Sequence, residues 1–348
     1  NRQYMINETD YCTPQVFSAA EEFLNKNKDE DAWLLQIECF DPHEPFHAPK
    51  RFRNLYPTNY EGPILDWPIY DRVKETADEI SEIRANYAAL VTMVDEYFGR
   101  LLDYFDEYNL WEDTAIIVTT DHGFLLGEHD WWAKLRMPIY NEIAHIPLMV
   151  YHPEFASQAG SRRSALTQTI DIMPTILDMF NLAPPKDVIG KSLLQILKCD
   201  HKLRDSLIFG YFGASCNVTD GEHTYFCYPE NMTADGLFEY TLMPTRMTSR
   251  FSIEELVGAT LSNPFSFTKG LQLLKVSPRV SDNGKPIDVQ GMSFEDTESQ
   301  LFNVLKDPKQ ELPLKDEAIV NYLLKEMHKN LKQADAPEEI YSRFNMKI

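Results

Sequence analysis

The chain has 348 residues, 43% hydrophobic, 12% aromatic and 25% charged, which is the balance of a folded protein with room for one large domain or two unequal ones. Its 54 acidic and 33 basic side chains give a formal net charge of −21. Such a surface repels nucleic acid and anionic membranes, so neither is expected as a partner, and no apolar run approaches the roughly 18 residues of a membrane span.

Short elements open the chain. Trp33–Phe40 is a mostly apolar run stopped by Asp41-Pro42, and it reads as a buried strand. Residues 43–68 are punctuated by proline and too long for a simple connection, which marks a functional loop. A long helix is predicted over 77–108. Its buried face runs through Ile80, Ile83, Tyr87, Leu90, Val91, Val94, Phe98, Leu101, Leu102 and Phe105, at three-and-four spacing.

Thr114–Thr120 reads as a second buried strand. Strand, helix and strand in this order predict a βαβ crossover with parallel strands. Ile146–Tyr151 is a third strand, followed by helices over about 168–180 and 191–197. Beyond residue 200 the pattern changes. Ser206–Phe212 and Thr224–Tyr228 flank a turn at Thr219–Glu222 and suggest a hairpin, and a helix over about 317–333 closes the region. The fold class expected is α/β: residues 1–199 form a domain with a mostly parallel sheet, and residues 200–348 a smaller α+β subdomain with an antiparallel sheet.

Cys12, Cys39, Cys199, Cys216 and Cys227 are odd in number and contain no C-x-x-C pair, which argues against a disulfide framework or zinc knuckle. Unpaired thiols lean toward a reducing, cytoplasmic compartment. Sequons at Asn7, Asn217 and Asn231 read as chance matches.

The chemistry gathers where two strands end, because ligands of parallel α/β sheets bind at the carboxyl ends of strands. One strand runs into Asp41-Pro42-His43-Glu44-Pro45-Phe46-His47, the other into Asp121-His122-Gly123. A carboxylate beside an imidazole suits a divalent metal. Asp200-His201 is a similar pair after no strand, so position rather than the dipeptide carries the weight. Gly127-Glu128-His129-Asp130-Trp131-Trp132-Ala133-Lys134 adds a cation able to meet an oxyanion. His43, stiffened by its flanking prolines, can donate to a substrate oxygen or act as a general acid.

These residues resemble the sulfatase family of the alkaline-phosphatase superfamily. The similarity is nearest the branch of iduronate-2-sulfatase, heparan N-sulfatase and phosphonate monoester hydrolases. Asp121–His129 with Trp132-Ala133-Lys134 matches the family's metal loop, and Asp41–Phe46 its H-x-P loop. Ile146–Val150, Gln168–Leu177, Asp220-Gly221 and Gln300–Pro308 follow as its I-P-L strand, D-x-x-P-T-L-L helix, hairpin turn and L-Y-D-L-x-x-D-P stretch.

The resemblance implies a partial alkaline-phosphatase-like sandwich and a sulfate-ester hydrolase acting on a carbohydrate. Asp121 and His122 become metal ligands, with Ca2+ ahead of Mn2+ or Mg2+. Lys134 and His43 contact the sulfate, and Glu128 and His129 support the ligands. His47, Arg136 and His145 reach toward the substrate. Two alternatives stay open: a phosphonate or phosphate ester hydrolase on the same scaffold, and a non-catalytic module that binds an anion or a partner.

The family's nucleophile is a formylglycine made from C/S-x-P-x-R. Cys12-Thr13-Pro14-Gln15-Val16 carries Val16 where arginine belongs and sits at the start of a helix that resembles the one before the H-x-P loop. Cys12 therefore reads as a helix-start residue. The expectation is a nucleophile and further metal-binding aspartates before Asn1, and hence an incomplete central sheet with some apolar surface exposed.

Overall fold

Apolar spacing and capping residues decide most of the helices. The computed structural model describes residues 2–243, 245, 246, 249–288 and 290–346. Helix α1 spans Cys12–Asn27 and buries Phe17, Ala20 and Leu24; Cys12 is indeed its first residue. Helix α2 spans Ala77–Tyr108, as predicted. It starts at a Thr76–Glu79 capping box and stops at Asn109, which takes the left-handed conformation. Its buried face includes Ile83, Leu90, Met93, Tyr97, Leu101 and Phe105. Burying each such side chain contributes about 1.5–3 kcal/mol. The face is turned slightly from the expected one: Asn86 and Ala89 are inside, and Val91 is 40% exposed.

The chain divides into two compact units. The first comprises Asn1–Thr119, Phe124–Ala133 and Pro147–Ala159. The second comprises Thr120–Gly123, Lys134–Ile146 and Gly160–Ile348. The division does not fall near residue 200. Asp171 pairs with Arg204, and Gln168 donates to the Ile208 carbonyl, so residues 160–199 belong with the later region.

In the first unit, β1 (Ile116–Thr119), β2 (Leu125–Leu126), β3 (Trp132–Ala133) and β4 (Leu148–Tyr151) pair as β1–β4 and β2–β3. Both pairings are antiparallel. The parallel βαβ crossover is therefore not formed, and every ladder among the described residues is antiparallel. Trp33–Phe40 stands outside any ladder. Its burial still alternates: Trp33, Leu35, Ile37 and Cys39 pack on the α2 core, while Leu34 and Phe40 are 61% and 54% exposed. The inward side chains set this period, but no described strand offers the backbone groups for pairing. The loop over 43–68 is tied down by Phe46 and Phe52, each 1% exposed, with Phe46 edge-on to Tyr87 and Phe124.

In the second unit, α3 (Ile172–Met179) and α4 (Leu194–Cys199) precede β5 (Leu207–Gly210), β6 (Cys216–Thr219) and β7 (His223–Phe226). After a small three-stranded sheet of β8 (Glu239–Thr241), β9 (Thr260–Leu261) and β10 (Leu274–Val276), β11 (Gln300–Asn303) returns to give the antiparallel order β11-β7-β6-β5. The hairpin around Asp220-Gly221 joins β6 and β7, whereas the run expected to form it, Ser206–Phe212, supplies β5 instead. Asn217 on β6 is fully buried, which closes its sequon to modification. Helix α5 (Glu317–Gln333) lays Leu323, Met327 and Leu331 on the sheet, against Val218 and Leu301. No described helix is long and apolar enough to cross a membrane.

Asp171 ties this unit together. Fully buried, it takes both arms of the Arg204 guanidinium and the backbone N–H groups of Gln168 and Lys191. Removing one partner strands a buried charge. Asp171→Ala is expected to destabilise the protein by about 3–5 kcal/mol in thermal or denaturant unfolding. An unchanged midpoint would show that this pair holds nothing together.

Candidate metal and anion site

Asp121 and His122 begin two residues beyond β1 and are positioned by backbone packing. The Gly123 N–H donates to the Ile143 carbonyl at 2.9 Å. A Cβ on Gly123 would meet the Glu142 carbonyl oxygen at 1.8 Å, so only glycine permits this approach. The turn aims both side chains at one point: His122 Nε2 lies 3.4 Å from Asp121 Oδ2.

His122 Nδ1 lies 2.9 Å from the Gly123 carbonyl, an atom that only accepts, so Nδ1 carries the hydrogen and Nε2 offers a lone pair. This is how a metal-ligating histidine is oriented from behind. Burial opposes ionisation of Asp121. The adjacent His122, its own and His122's backbone N–H groups and the Thr120 hydroxyl outweigh that and hold the carboxyl below its ordinary value. The Asp121 side chain is 80% exposed, so the pair opens to solvent. Two acceptors facing each other fit a divalent cation. They are two donors only, and no group of three or more such side chains gathers among the described residues. Calcium takes six to eight oxygens, more than these two side chains offer.

Lys134 is buried, 6% exposed. Around it the backbone takes positive φ at non-glycine residues: His129 (54°), Asp130 (63°), Ala133 (71°) and Leu135 (87°). Such conformations cost about 1–3 kcal/mol each and cluster at functional sites. Gly127, at φ 100°, opens the same turn. Glu128 works within it, its carboxylate accepting the Leu126 N–H at 2.5 Å.

Arg136 presents no open fork. Its buried guanidinium binds Glu295 at 2.6 Å and the Ser293 carbonyl at 3.2 Å. His145 is exposed and follows the short helix Asn141–Ala144.

In the first unit, His43 is 38% exposed and lies against the Phe40 ring at 4.7 Å. The peptide bonds Asp41-Pro42 and Glu44-Pro45 on either side are both cis. Asp41 accepts the Thr13 hydroxyl at 2.5 Å, and burial raises its pKa against that bond. His47 stacks on Tyr11 and lies 3.9 Å from Asp66, which is paired with Arg2. Burial, with Arg2 and Arg53 nearby, pushes the His47 imidazole below its ordinary value and keeps it neutral near pH 7. Glu44 escaped the sequence reading. It is buried behind His43 and receives the Tyr70 hydroxyl. Its neighbour His43 drew attention because it sits between prolines after an apolar run, whereas nothing in the sequence marks Glu44 as internal.

The Sulfatase family model matches residues 1–182, and the chain belongs to that family. It is 30% identical over 201 residues to the multifunctional alkaline phosphatase superfamily protein of Trinickia caryophylli, covering 49% of this chain and 38% of that one. It is 40% identical over 117 residues to the N-acetylglucosamine-6-O-sulfatase of Bacteroides thetaiotaomicron, covering 34% and 20%. The chain thus spans well under half the length of these relatives. A solved structure in complex with its substrate D-glucosamine-2-N,6-O-disulfate superposes with a TM-score of 0.62 at 16% identity, over 93% of this chain and 70% of that one.

Gly123→Ala tests the turn. Overpacking there is expected to cost about 1–3 kcal/mol, seen as a lower melting temperature. A fully stable variant would mean that the Glu142 carbonyl does not press on this turn.

Proposed function

We propose that the protein hydrolyses sulfate esters of carbohydrates, with Asp121 and His122 holding a divalent cation, Ca2+ ahead of Mn2+ or Mg2+. The observation that carries the reading is the pair of acceptors 3.4 Å apart, with the His122 hydrogen committed to the Gly123 carbonyl. The carbohydrate assignment is supported by the N-acetylglucosamine-6-O-sulfatase relative and by the disulfated glucosamine held in the structural neighbour.

A bound cation supplies Lewis acidity and charge neutralisation to the ester's oxygens. Lys134 places an ammonium in a buried, prearranged position, where charge stabilisation needs little reorganisation. His43 is assigned to the leaving oxygen, as donor. Glu128 and His129 shape the loop that carries Lys134. The nucleophile is taken to be a formylglycine outside these residues, since Cys12 opens α1 and lacks the arginine of the family's signature. The five free cysteines fit a reducing, cytoplasmic setting.

A second reading, a phosphonate or phosphate ester hydrolase, is favoured by the multifunctional relative. Sulfate and phosphonate esters share geometry, and the Asp121, His122 and Lys134 set suits both.

The test uses the full-length protein with 4-nitrophenyl sulfate and 4-nitrophenyl phenylphosphonate. Sulfate turnover is expected to exceed phosphonate turnover, and Lys134→Ala to lower sulfate kcat/KM by about 10²–10³-fold. Preference for the phosphonate would select the second reading. No turnover of either would refute the hydrolytic assignment.

A further inference from the structure

His43 Nδ1 lies 2.7 Å from the Glu44 carbonyl oxygen and 3.4 Å from Glu44 Oε2. A carbonyl only accepts, so Nδ1 carries a hydrogen, and Nε2 is the nitrogen left for a substrate. In the neutral ring Nε2 accepts only. To donate to a leaving oxygen, His43 must hold a second proton and become an imidazolium.

Glu44 supplies what that state needs. Its side chain is 1% exposed. Oε1 receives the Tyr70 hydroxyl, while Oε2 is buried and has no hydrogen-bond partner. A bare oxygen on a buried carboxylate is costly, and a positive charge on the adjacent ring offsets that cost. Burial, reinforced by Glu44, pushes the Tyr70 phenol above its ordinary value, so the hydroxyl remains a donor through neutral pH. The other carboxylate of the loop, Asp41, accepts from Thr13. Glu44 is the one carboxylate that pairs with His43 among the described residues.

We infer that Glu44, held by Tyr70, is a positioning residue that stabilises His43 as the proton donor to the departing sugar oxygen. This rests on the sulfatase reading above. As the sulfur bonds to the incoming oxygen nucleophile, the bond from sulfur to the sugar oxygen breaks and its electron pair stays on that oxygen. The sugar oxygen takes the Nε2 proton and leaves as an alcohol. His43 is left neutral, with its Nδ1 hydrogen still shared between the Glu44 carbonyl and Oε2, and is reprotonated from water.

A poor leaving group needs that proton and a good one does not, which separates this role from a packing role. The full-length protein and its Glu44→Gln variant are compared on 4-nitrophenyl sulfate and on N-acetylglucosamine 6-sulfate. General acid catalysis is worth about 10²–10⁴-fold, so Glu44→Gln should slow the sugar ester at least about tenfold more than the aryl ester. Tyr70→Phe should show the same ordering with smaller losses, and serves if Glu44→Gln does not fold. Equal losses on both esters would overturn the inference while leaving the sulfatase reading intact. If the parent turns over neither ester, the sulfatase reading falls. The inference rests on that reading and falls with it.

Discussion

Two acceptors held face to face are the constraint on which the rest depends. His122 Nε2 and Asp121 Oδ2 stand 3.4 Å apart, and the one hydrogen that could ease the contact is spent on the Gly123 carbonyl. Such a pair is stable with a proton or a cation between its members, and unfavourable otherwise. The turn cannot relax away, because Gly123 is hydrogen-bonded to Ile143 and pressed against Glu142.

The surrounding structure absorbs the cost. Positive φ at His129, Asp130, Ala133 and Leu135 flanks Lys134 and survives only because neighbouring packing over-determines it. Trp131 and Trp132, both fully buried, anchor that turn, with the Trp132 indole donating to Glu75 at 2.6 Å. In the second unit, Asp171 and Arg204 give the helices ahead of the sheet a fixed hold. A chain of net charge −21 thus keeps Lys134 buried beside this turn.

Periodicity made the long elements legible. Helix α2 and helix α5 end where spacing and caps put them, because burial of one face and local capping act together over many residues. Pairing was less legible. Trp33–Phe40 has the alternation of a strand yet no ladder, since alternation reports a buried face and says nothing about a neighbour. The β6–β7 hairpin was displaced because β6 is only Cys216–Thr219 and carries the polar Asn217 inward. At the candidate site, Asp121 and His122 stood out in the sequence because they follow an apolar run. The ion pair of Arg136 was not legible because its partner, Glu295, lies 159 residues away in sequence. Glu44 was missed for the complementary reason: a carboxylate in a proline-rich loop looks solvated until tertiary packing covers it.

Metal content decides the central claim most directly. The purified full-length protein, analysed by inductively coupled plasma mass spectrometry after gel filtration, should carry about one divalent cation per chain, as a site built on a fixed carboxylate and imidazole requires. Replacing Asp121 with Asn and His122 with Ala together should remove it while the fold persists. Undiminished metal content in that double variant would contradict the assignment, and the two facing acceptors would then be joined by a proton alone.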